Sequence, residues 1–239
     1  MTIRVEHTEH CTLYLGDCLD VLPTLGKVDA VVTDPPYGIA YKKGAGGTGH
    51  KKRNCEAIIG DDQPFDPSPI LSVCENVLLW GSDHFAQRLP HGRFLAWNKL
   101  GNTGADSWDS FSDVEFAWHS QRGASRIFNY VWKGLCMGAG EDKNQPRDHP
   151  TQKPVCLMRW CLEQVGSTPG DVILDPYMGS GTTGVACIRT SRKFIGVEKD
   201  PKHFETALRR IREAERMAHC NLFKEPKPVP QTQRSLIEV

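Results

Sequence analysis

Short apolar runs alternate with amphipathic stretches along most of the chain, a pattern typical of an α/β protein. The apolar runs predict strands at residues 11–15, 29–33, 76–80, 94–97, 114–119, 171–174 and 194–197. Helical periodicity predicts a short helix through Val21 and Leu22, one at 85–89, and longer ones at 155–165, 182–190 and 201–216. We therefore expect a mostly parallel, twisted sheet with helices on both faces.

Three stretches break this alternation. Residues 38–60 are glycine-rich, residues 134–148 carry glycines and charges with little periodicity, and the end of the chain from Lys224 is rich in proline and lysine. We interpret residues 1–223 as a single domain with two inserted loops, at about 38–60 and 120–148, and residues 224–239 as a disordered tail.

Composition excludes several classes of protein. No apolar run approaches the roughly 18–20 residues of a membrane span, and the first residues open no secretory signal, so we expect a cytoplasmic protein without membrane contact. The nine cysteines include no C-x-x-C pair, which favours free thiols. His7, His10 and Cys11 form the one His/Cys cluster, and we expect no metal there.

The distribution of charge along the chain is more informative than the net charge. The chain has 29 basic and 29 acidic residues, which by itself opposes a nucleic-acid partner. Residues 1–37, however, carry two bases and six acids, residues 38–60 carry five and one, and residues 191–239 carry eleven and seven. The neutral sum is therefore compatible with local basic surfaces, at loop 38–60 and near the C-terminal helix.

A glycine-rich turn follows the strand predicted at 171–174. It includes Gly179, Gly181 and Gly184 in a G-x-G-x-x-G pattern, and Glu198 ends the next strand. Such a turn lets a nucleotide approach the backbone, while the following acid binds ribose hydroxyls. Asp175 would repel a pyrophosphate and attract the cationic groups of S-adenosylmethionine. We prefer that methyl donor to a dinucleotide, and a plain tight turn stays open.

A second candidate site is Asp34-Pro35-Pro36-Tyr37, which ends a buried strand. Two prolines remove two backbone donors and fix the local backbone, so that a carbonyl and a carboxylate can accept both hydrogens of an amino group. Tyr37 offers a flat face for the ring that carries the amine. A purely structural turn with a core tyrosine is the alternative.

Together these motifs resemble the DNA amino-methyltransferases, which methylate N6 of adenine or N4 of cytosine. The candidate catalytic turn (residues 34–37) precedes the candidate cofactor turn (residues 175–183), as in the permuted β-class of that family. The resemblance implies a Rossmann-like methyltransferase fold and two further cofactor contacts, Asp17 in Leu15-Gly16-Asp17 and Lys153 in His149-Pro-Thr-Gln-Lys153-Pro154. Asn98 stands where family members often carry an acid. From the residues alone, Asp17 could equally cap a helix and Lys153 could merely begin one. Within the cofactor turn, the candidate contacts are Asp175, Tyr177, Gly179, Ser180, Gly181, Thr182 and Thr183, with Glu198 on the ribose.

Two basic stretches are candidates for contact with DNA. The first lies in the loop after Tyr37 and comprises Lys42, Lys43, Lys51, Lys52 and Arg53. A loop beside the pocket can close on a base flipped out of the duplex, although a solvated charged loop is the alternative. The second stretch contains Arg122, Arg126 and Lys133 among aromatic residues, and we expect it to recognise the target sequence. Its alternative is a strand that packs Phe128, Tyr130 and Trp132.

We accordingly predict a site-specific methyltransferase that acts on adenine N6 in double-stranded DNA. N4-cytosine methylation is the alternative. An NAD-dependent oxidoreductase and a non-catalytic DNA-binding relative are less favoured, because the first leaves residues 34–37 unexplained and the second has no need of two intact motifs. Three points stay open: whether the protein forms a homodimer, which DNA sequence it recognises, and whether it acts alone or is paired with a restriction nuclease.

Overall fold

The computed structural model describes residues 3–39, 60–101, 112–133, 136–137 and 152–220, without the side chains of residues 133, 136 and 137. The strands are β1 (Arg4–His7), β2 (Cys11–Leu15), β3 (Ala30–Thr33), β4 (Val77–Trp80), β5 (Arg93–Asn98), β6 (Val114–His119), β7 (Arg126–Asn129), β8 (Trp132–Lys133), β9 (Cys136–Met137), β10 (Val172–Asp175) and β11 (Lys193–Glu198). The helices are α1 (Cys18–Val21), α2 (Ser68–Leu71), α3 (Val155–Gln164), α4 (Thr182–Arg189) and α5 (Pro201–His219).

One large sheet organises the described part of the chain. Its strand order is β1-β2-β11-β10-β3-β4-β6-β5-β7, and β8 pairs with β9 in a separate two-stranded sheet. All of its strands run parallel except β1 and β6, which are antiparallel to their neighbours. Every residue of β3 and β4 is buried, as expected for central parallel strands covered on both faces. The predicted α/β architecture is confirmed.

Helices cover both faces of this sheet. The apolar sides of α3, α4 and α5 pack with Val32, Leu78 and Phe194 in the larger core cluster. On the other face, α2 and nearby loop residues pack with Val31, Leu79 and Leu174, while α1 packs against Val197. Alternate residues of β3 thus enter different cores, because successive strand side chains point to opposite faces.

Two predictions about individual elements were wrong, and one strand was missed. The helix predicted at 85–89 is replaced by two 3-10 turns, Ser82–His84 and Ala86–Arg88. Phe85 between them departs from helical geometry, with a φ of −136°, and its ring packs in the core. The predicted loop 120–148 contains β7, β8 and β9. Strand β1 was missed, since its residues are mostly exposed and show little apolar signal. The predicted tail, 224–239, lies outside the described residues.

Ion pairs join the acidic start of the chain to the basic helix α5. Arg4 lies 2.6 Å from Glu205, Arg212 lies 3.1 Å from Glu6, and His219 contacts Glu9. Among these pairs, Glu6 neutralises one arginine of α5, whereas Arg4 pairs with an acid of the same helix. No helix of the described ranges is long and apolar enough to cross a membrane.

Gly184 offers a test of the packing between α4 and its neighbours. A Cβ atom at this position would lie 2.8 Å from Ile211 and 2.9 Å from Phe194, both fully buried. We expect Gly184→Val to lower the free energy of unfolding by about 1–3 kcal/mol, because the site is overpacked. Gly26→Val is the control, since no atom lies within 4 Å of its added Cβ. Urea denaturation of both variants checks this, and equal stability would contradict the packing described.

Candidate active site

Four acidic residues follow four adjacent strands at one edge of the sheet. They are Asp17 after β2, Glu198 at the end of β11, Asp175 at the end of β10 and Asp34 after β3. The edge at the carboxyl ends of parallel strands is where open α/β sheets bind ligands. A row of carboxylates at this edge suits a cationic ligand better than a phosphate.

The catalytic turn begins with Asp34, whose two carboxylate oxygens have different partners. The Tyr37 hydroxyl donates to Oδ1 at 2.6 Å, and the ammonium of Lys153 donates to Oδ2. Burial, together with the charge of Asp34, raises the pKa of Tyr37 well above its usual value, so its hydroxyl stays protonated and able to donate. Asp34 is thus held in one orientation from both sides.

The ring of Tyr37 is fixed by the residues that follow β4. Gly81 has a φ of 69°, and a Cβ there would lie only 1.9 Å from the ring. His84 stacks on the same ring with centroids 4.9 Å apart and planes 19° apart. Glycine is required at position 81 both for its positive φ and for this close approach.

Asp175 joins the catalytic turn to the glycine turn. Its Oδ1 accepts from the Thr33 hydroxyl at 2.6 Å and from the Tyr177 backbone N–H at 3.1 Å, while its Oδ2 accepts from the Thr183 hydroxyl at 2.7 Å. Thr33 is the residue before Asp34, so one carboxylate connects the ends of β3 and β10 with the first turn of α4. Burial nevertheless raises the pKa of Asp175 to about 6.

Two left-handed glycines shape the cofactor turn. Gly179 has a φ of 51° and Gly181, which caps α4, has a φ of 77°. The backbone N–H of Gly179 donates to Glu198 Oε2 at 2.9 Å. A Cβ on Gly181 would lie 2.9 Å from Ala207, whereas a Cβ on Gly179 would meet no atom within 4 Å. The turn therefore packs against α5 on one side and is open at Gly179.

Arg210 of α5 holds the same turn and was missed in the sequence. Its Nη1 donates to the Ser180 carbonyl at 2.6 Å, to the Ser180 hydroxyl at 2.9 Å and to the Thr182 hydroxyl at 3.1 Å. The side chain is buried. The sequence feature that could have revealed Arg210 is its place on the apolar face of an amphipathic helix, three residues after Ala207 and one before Ile211.

The two acids predicted to contact the nucleoside lie on neighbouring strands. Gly16 N–H donates to the Glu198 carbonyl at 2.9 Å, which places Asp17 beside Glu198. Asp17 Oδ1 caps α1 through the Leu19 N–H at 3.0 Å, so the capping alternative is confirmed, and Oδ2 pairs with Lys199 at 2.8 Å. Both carboxylates are partly exposed.

Several predicted cofactor residues instead make contacts within the protein. Thr183 bonds Asp175, Ser180 and Thr182 bond Arg210, and the ring of Tyr177 packs near Phe65, with centroids 6.0 Å apart. These side chains hold the turn together. Their direct contact with a cofactor stays a prediction, as do the contacts of Gly179, Gly181 and Glu198.

Lys153 lies at the catalytic turn, since it contacts Asp34 and Tyr37 as well as Glu115. Burial alone would lower the pKa of Lys153, but the carboxylates of Asp34 and Glu115 outweigh burial and hold this pKa well above its usual value. The Lys153 ammonium contacts the Asp34 carboxylate, and its contact with the cofactor stays a prediction.

Asn98 has a structural role at the end of β5. Its amide donates to the Gly101 carbonyl at 2.7 Å and to Asn129 Oδ1 at 3.0 Å, and its Oδ1 accepts from Leu100 N–H at 3.0 Å. These bonds close a turn and connect β5 to β7.

The predicted DNA-contacting residues do not assemble at this edge. Arg122 follows β6 and Arg126 begins β7, so both lie at the opposite edge of the sheet from Asp34. The aromatic residues beside them pack inward, with Phe128 5.3 Å from Trp160 and the Trp132 indole donating to the Gln152 carbonyl at 3.0 Å. The packing alternative therefore explains these aromatics, and the side chain of Lys133 is not described.

The first basic loop lies almost wholly outside the described residues, including Lys42, Lys43, Lys51, Lys52 and Arg53. Its two ends are described, and they meet at the catalytic turn. Asp61 Oδ1 accepts from Gly38 N–H at 2.9 Å and from Ile39 N–H at 3.4 Å. The segment that carries the five bases thus leaves and rejoins the fold directly beside Tyr37.

Metal-ligating residues do not cluster in the described ranges. No group of three or more His, Cys, Asp or Glu residues with metal-binding geometry occurs there. His7 instead contacts the Thr12 hydroxyl at 3.2 Å.

Comparison with known proteins shows what this chain is similar to. The model of the DNA methylases of the N6/N4 type matches residues 94–209, which run from β5 into α5. The Type II methyltransferase M2.MboI of Moraxella bovis is 27% identical to the chain, over 84% of the chain and 87% of that relative. The chain is thus similar to the DNA methylases of the N6/N4 type, both over the matched segment and across most of its length.

Solved structures support the fold of this chain. The cytosine-N4-specific PvuII DNA methyltransferase superposes with a TM-score of 0.55 at 16% identity, over 88% of this chain and 93% of that one. A DNA modification methylase of Thermus thermophilus, TTHA0409, solved in complex with S-adenosyl-L-methionine, superposes with a TM-score of 0.51 at 20% identity, over 86% and 96%. The predicted Rossmann-like methyltransferase fold is confirmed.

The shifted carboxyl of Asp175 can be observed directly. We expect it to titrate near pH 6 in a ¹³C NMR titration of aspartate-labelled protein, compared with about 3.9 for an ordinary Asp. Because the folded-state pKa is raised, the stability that this group contributes is greatest below pH 4 and is lost as the pH rises through 6. Asp175→Asn identifies the resonance by removing it. A midpoint near 4 would contradict the burial described.

Arg210 can be tested through stability. We expect Arg210→Met to lower the free energy of unfolding by about 2–4 kcal/mol, because three acceptors around the glycine turn lose a charged donor. Arg209→Met is a matched control, since the neighbouring side chain is 53% exposed, and it should change stability by no more than about 0.5 kcal/mol. Urea unfolding measures both, and equal effects would show that the turn does not depend on Arg210.

Proposed function

We propose that the protein transfers a methyl group from S-adenosylmethionine to N6 of an adenine flipped out of double-stranded DNA. The observation that carries this proposal is the contact between the two turns, in which the Thr33 hydroxyl lies 2.6 Å from Asp175. This contact brings the acceptors of residues 34–37 next to the open glycine turn. A base held by the first turn and a cofactor held by the second would therefore be neighbours.

The residues around the glycine turn fit S-adenosylmethionine. The space over Gly179 is open, and the neighbouring acids Glu198 and Asp17 offer acceptors for ribose hydroxyls and adenine. The carboxylates at the strand ends favour a ligand that is cationic and carries no phosphate. When bound, this cofactor supplies a methyl group activated by its positively charged sulfur.

The catalytic turn would hold the amine that receives the methyl group. The Asp34 carboxylate keeps lone pairs that its two partners do not use. The Pro35 carbonyl is followed by Pro36, which has no backbone N–H, so it is available as a second acceptor. If these two acceptors bind both amine hydrogens, the nitrogen lone pair leaves conjugation with the ring and forms the new C–N bond as the C–S bond breaks. The excess proton on nitrogen then passes to Asp34 or to solvent, while Tyr37 stacks against the base.

Duplex DNA is the proposed substrate because the five bases of segment 40–59 belong to a segment anchored at the catalytic turn by Asp61. Lysines and arginines beside the pocket can contact phosphates on either side of a flipped nucleotide. Arg122 and Arg126 lie too far along the sheet to reach the same nucleotide, so we assign them at most to flanking DNA.

The identity of the first residue of the catalytic turn favours adenine over cytosine as the target base. Asp34 rather than serine at this position tilts the family resemblance towards N6-adenine. The contacts of Asp34 with Tyr37 and Lys153 serve an amino group of either base, so N4-cytosine is the alternative that the assay must distinguish.

Nucleoside analysis of DNA methylated with tritiated cofactor tests the proposal. We expect label in N6-methyladenine, and Asp34→Ala should lower kcat by roughly 100-fold or more because the amine is no longer aligned. Asp62→Ala, at an exposed acid, is the control. Calorimetry should detect binding of S-adenosylmethionine and none of NAD. Label only in N4-methylcytosine would establish the alternative, and label in neither base or a fully active Asp34→Ala would refute DNA methylation through this turn.

A further inference from the structure

A chain of four alternating charges runs from the end of β5 to the catalytic turn, and its two carboxylate side chains, Glu115 and Asp34, are each 30% exposed. Lys153 contacts Asp34 and lies 3.4 Å from Glu115 Oε2, while Glu115 Oε1 accepts from Lys99 at 3.0 Å. The side chain of Lys153 is only 8% exposed and that of Lys99 only 12%. The order is Lys99, Glu115, Lys153, Asp34, so positive and negative groups alternate and their charges sum to zero.

Strand topology explains why Glu115 can reach the site. β6 runs antiparallel to β4 and β5, so its first residues lie at the edge where the parallel strands end. Glu115 pairs with Trp97 in register, next to Asn98. The ammonium of Lys153 lies above Trp80, 5.5 Å from its ring centroid, so the charge chain crosses the end of β4.

The position of Lys153 depends on both of its carboxylate partners. A buried ammonium is stable only when charge and hydrogen bonds compensate its loss of water. With Asp34 as its sole partner, Lys153 would be free to move along that carboxylate and would occupy more of its lone pairs. Glu115 provides a second attraction from the opposite strand and is itself anchored by Lys99.

We propose that Glu115 is a positioning residue for methyl transfer: it shares the Lys153 ammonium with Asp34, and thereby fixes the direction in which Asp34 accepts the substrate amine. This inference rests on the proposed function, because it gives that function a further residue. In this proposal Glu115 acts through Lys153 and Asp34.

The groups facing Lys153 determine what loss of Glu115 does to its proton. They are Asp34 and Tyr37 after β3, Glu115 on β6 and the Cys161 thiol on α3. Burial lowers the pKa of Lys153, whereas Asp34, Tyr37 and Glu115 raise it. Removing the charge of Glu115 leaves burial in place and therefore lowers the pKa of Lys153.

The central test is Glu115→Gln, which keeps the shape of the side chain and removes its charge. We expect kcat to fall roughly 10- to 100-fold, while KM for DNA and for the cofactor changes by no more than about twofold. We also expect kcat to decline at a lower alkaline pH than in the wild type. Glu163→Gln, at an exposed acid of α3, is the matched control and should leave both unchanged.

A charge-balanced variant separates positioning from charge balance. Lys99→Gln combined with Glu115→Gln removes one charge of each sign, and it serves as the test if the single variant does not fold. We expect the double variant to keep the low kcat and the shifted pH profile. Recovery of wild-type kcat would overturn the proposal, and so would a Glu115→Gln enzyme with normal kcat or with a loss that is equal at every pH.

An NMR titration of ¹³Cε-labelled lysines distinguishes failure of this inference from failure of the proposed function. We expect Lys153 to titrate at lower pH in Glu115→Gln than in the wild type, and Lys153→Met identifies its resonance. If the wild type methylates no DNA, the proposed function fails and this titration still decides the positioning role. An unchanged Lys153 titration would overturn it.

Discussion

The hydrogen bonds of the Asp175 carboxylate are the interaction on which the rest of the site depends. A single buried acid receives donors from Thr33 at the end of β3, Tyr177 in the glycine turn and Thr183 in α4. Because its own burial disfavours the charge, these donors are what make an ionised carboxylate tolerable there. The same three bonds fix the separation of the catalytic and cofactor turns, so the stability of this acid and the geometry of the site have one physical cause.

Charge in this protein is arranged by position, and its overall sum carries little information. Arg4 and Glu6 of the first strand pair with α5, a chain of four alternating charges ends at Asp34 in the catalytic turn, and the five bases of segment 40–59 lie outside the described residues. Paired charges attract no distant partner, whereas a concentration of like charges does. A neutral chain can therefore act on DNA if its bases are concentrated next to the pocket.

The sequence predicted those parts of the fold that depend on local pattern. Strands β3, β4 and β10 were found because continuous apolar runs reveal buried parallel strands, and residues 34–37 were found because two prolines beside an acid are rare. Arg210 and Glu115 were missed, since each acts through residues far away in sequence. The sequence could not place Arg122 and Arg126 relative to the site, because an arginine among aromatics looks the same at either edge of a sheet. Local pattern reveals which residues are unusual, but strand direction decides where their side chains are.

The sheet topology is compatible with the order of the two motifs in this chain. The family model covers residues 94–209, so the catalytic turn precedes the matched segment and the glycine turn lies within it. In space, β3 and β10 are adjacent parallel strands, although more than a hundred residues separate them in sequence. A contact such as Thr33 to Asp175 requires only that the two strands be neighbours and point the same way. The sheet therefore accommodates either order of the two motifs along the chain, provided that β10 lies beside β3, and the pairing of these two strands is what brings the two turns together.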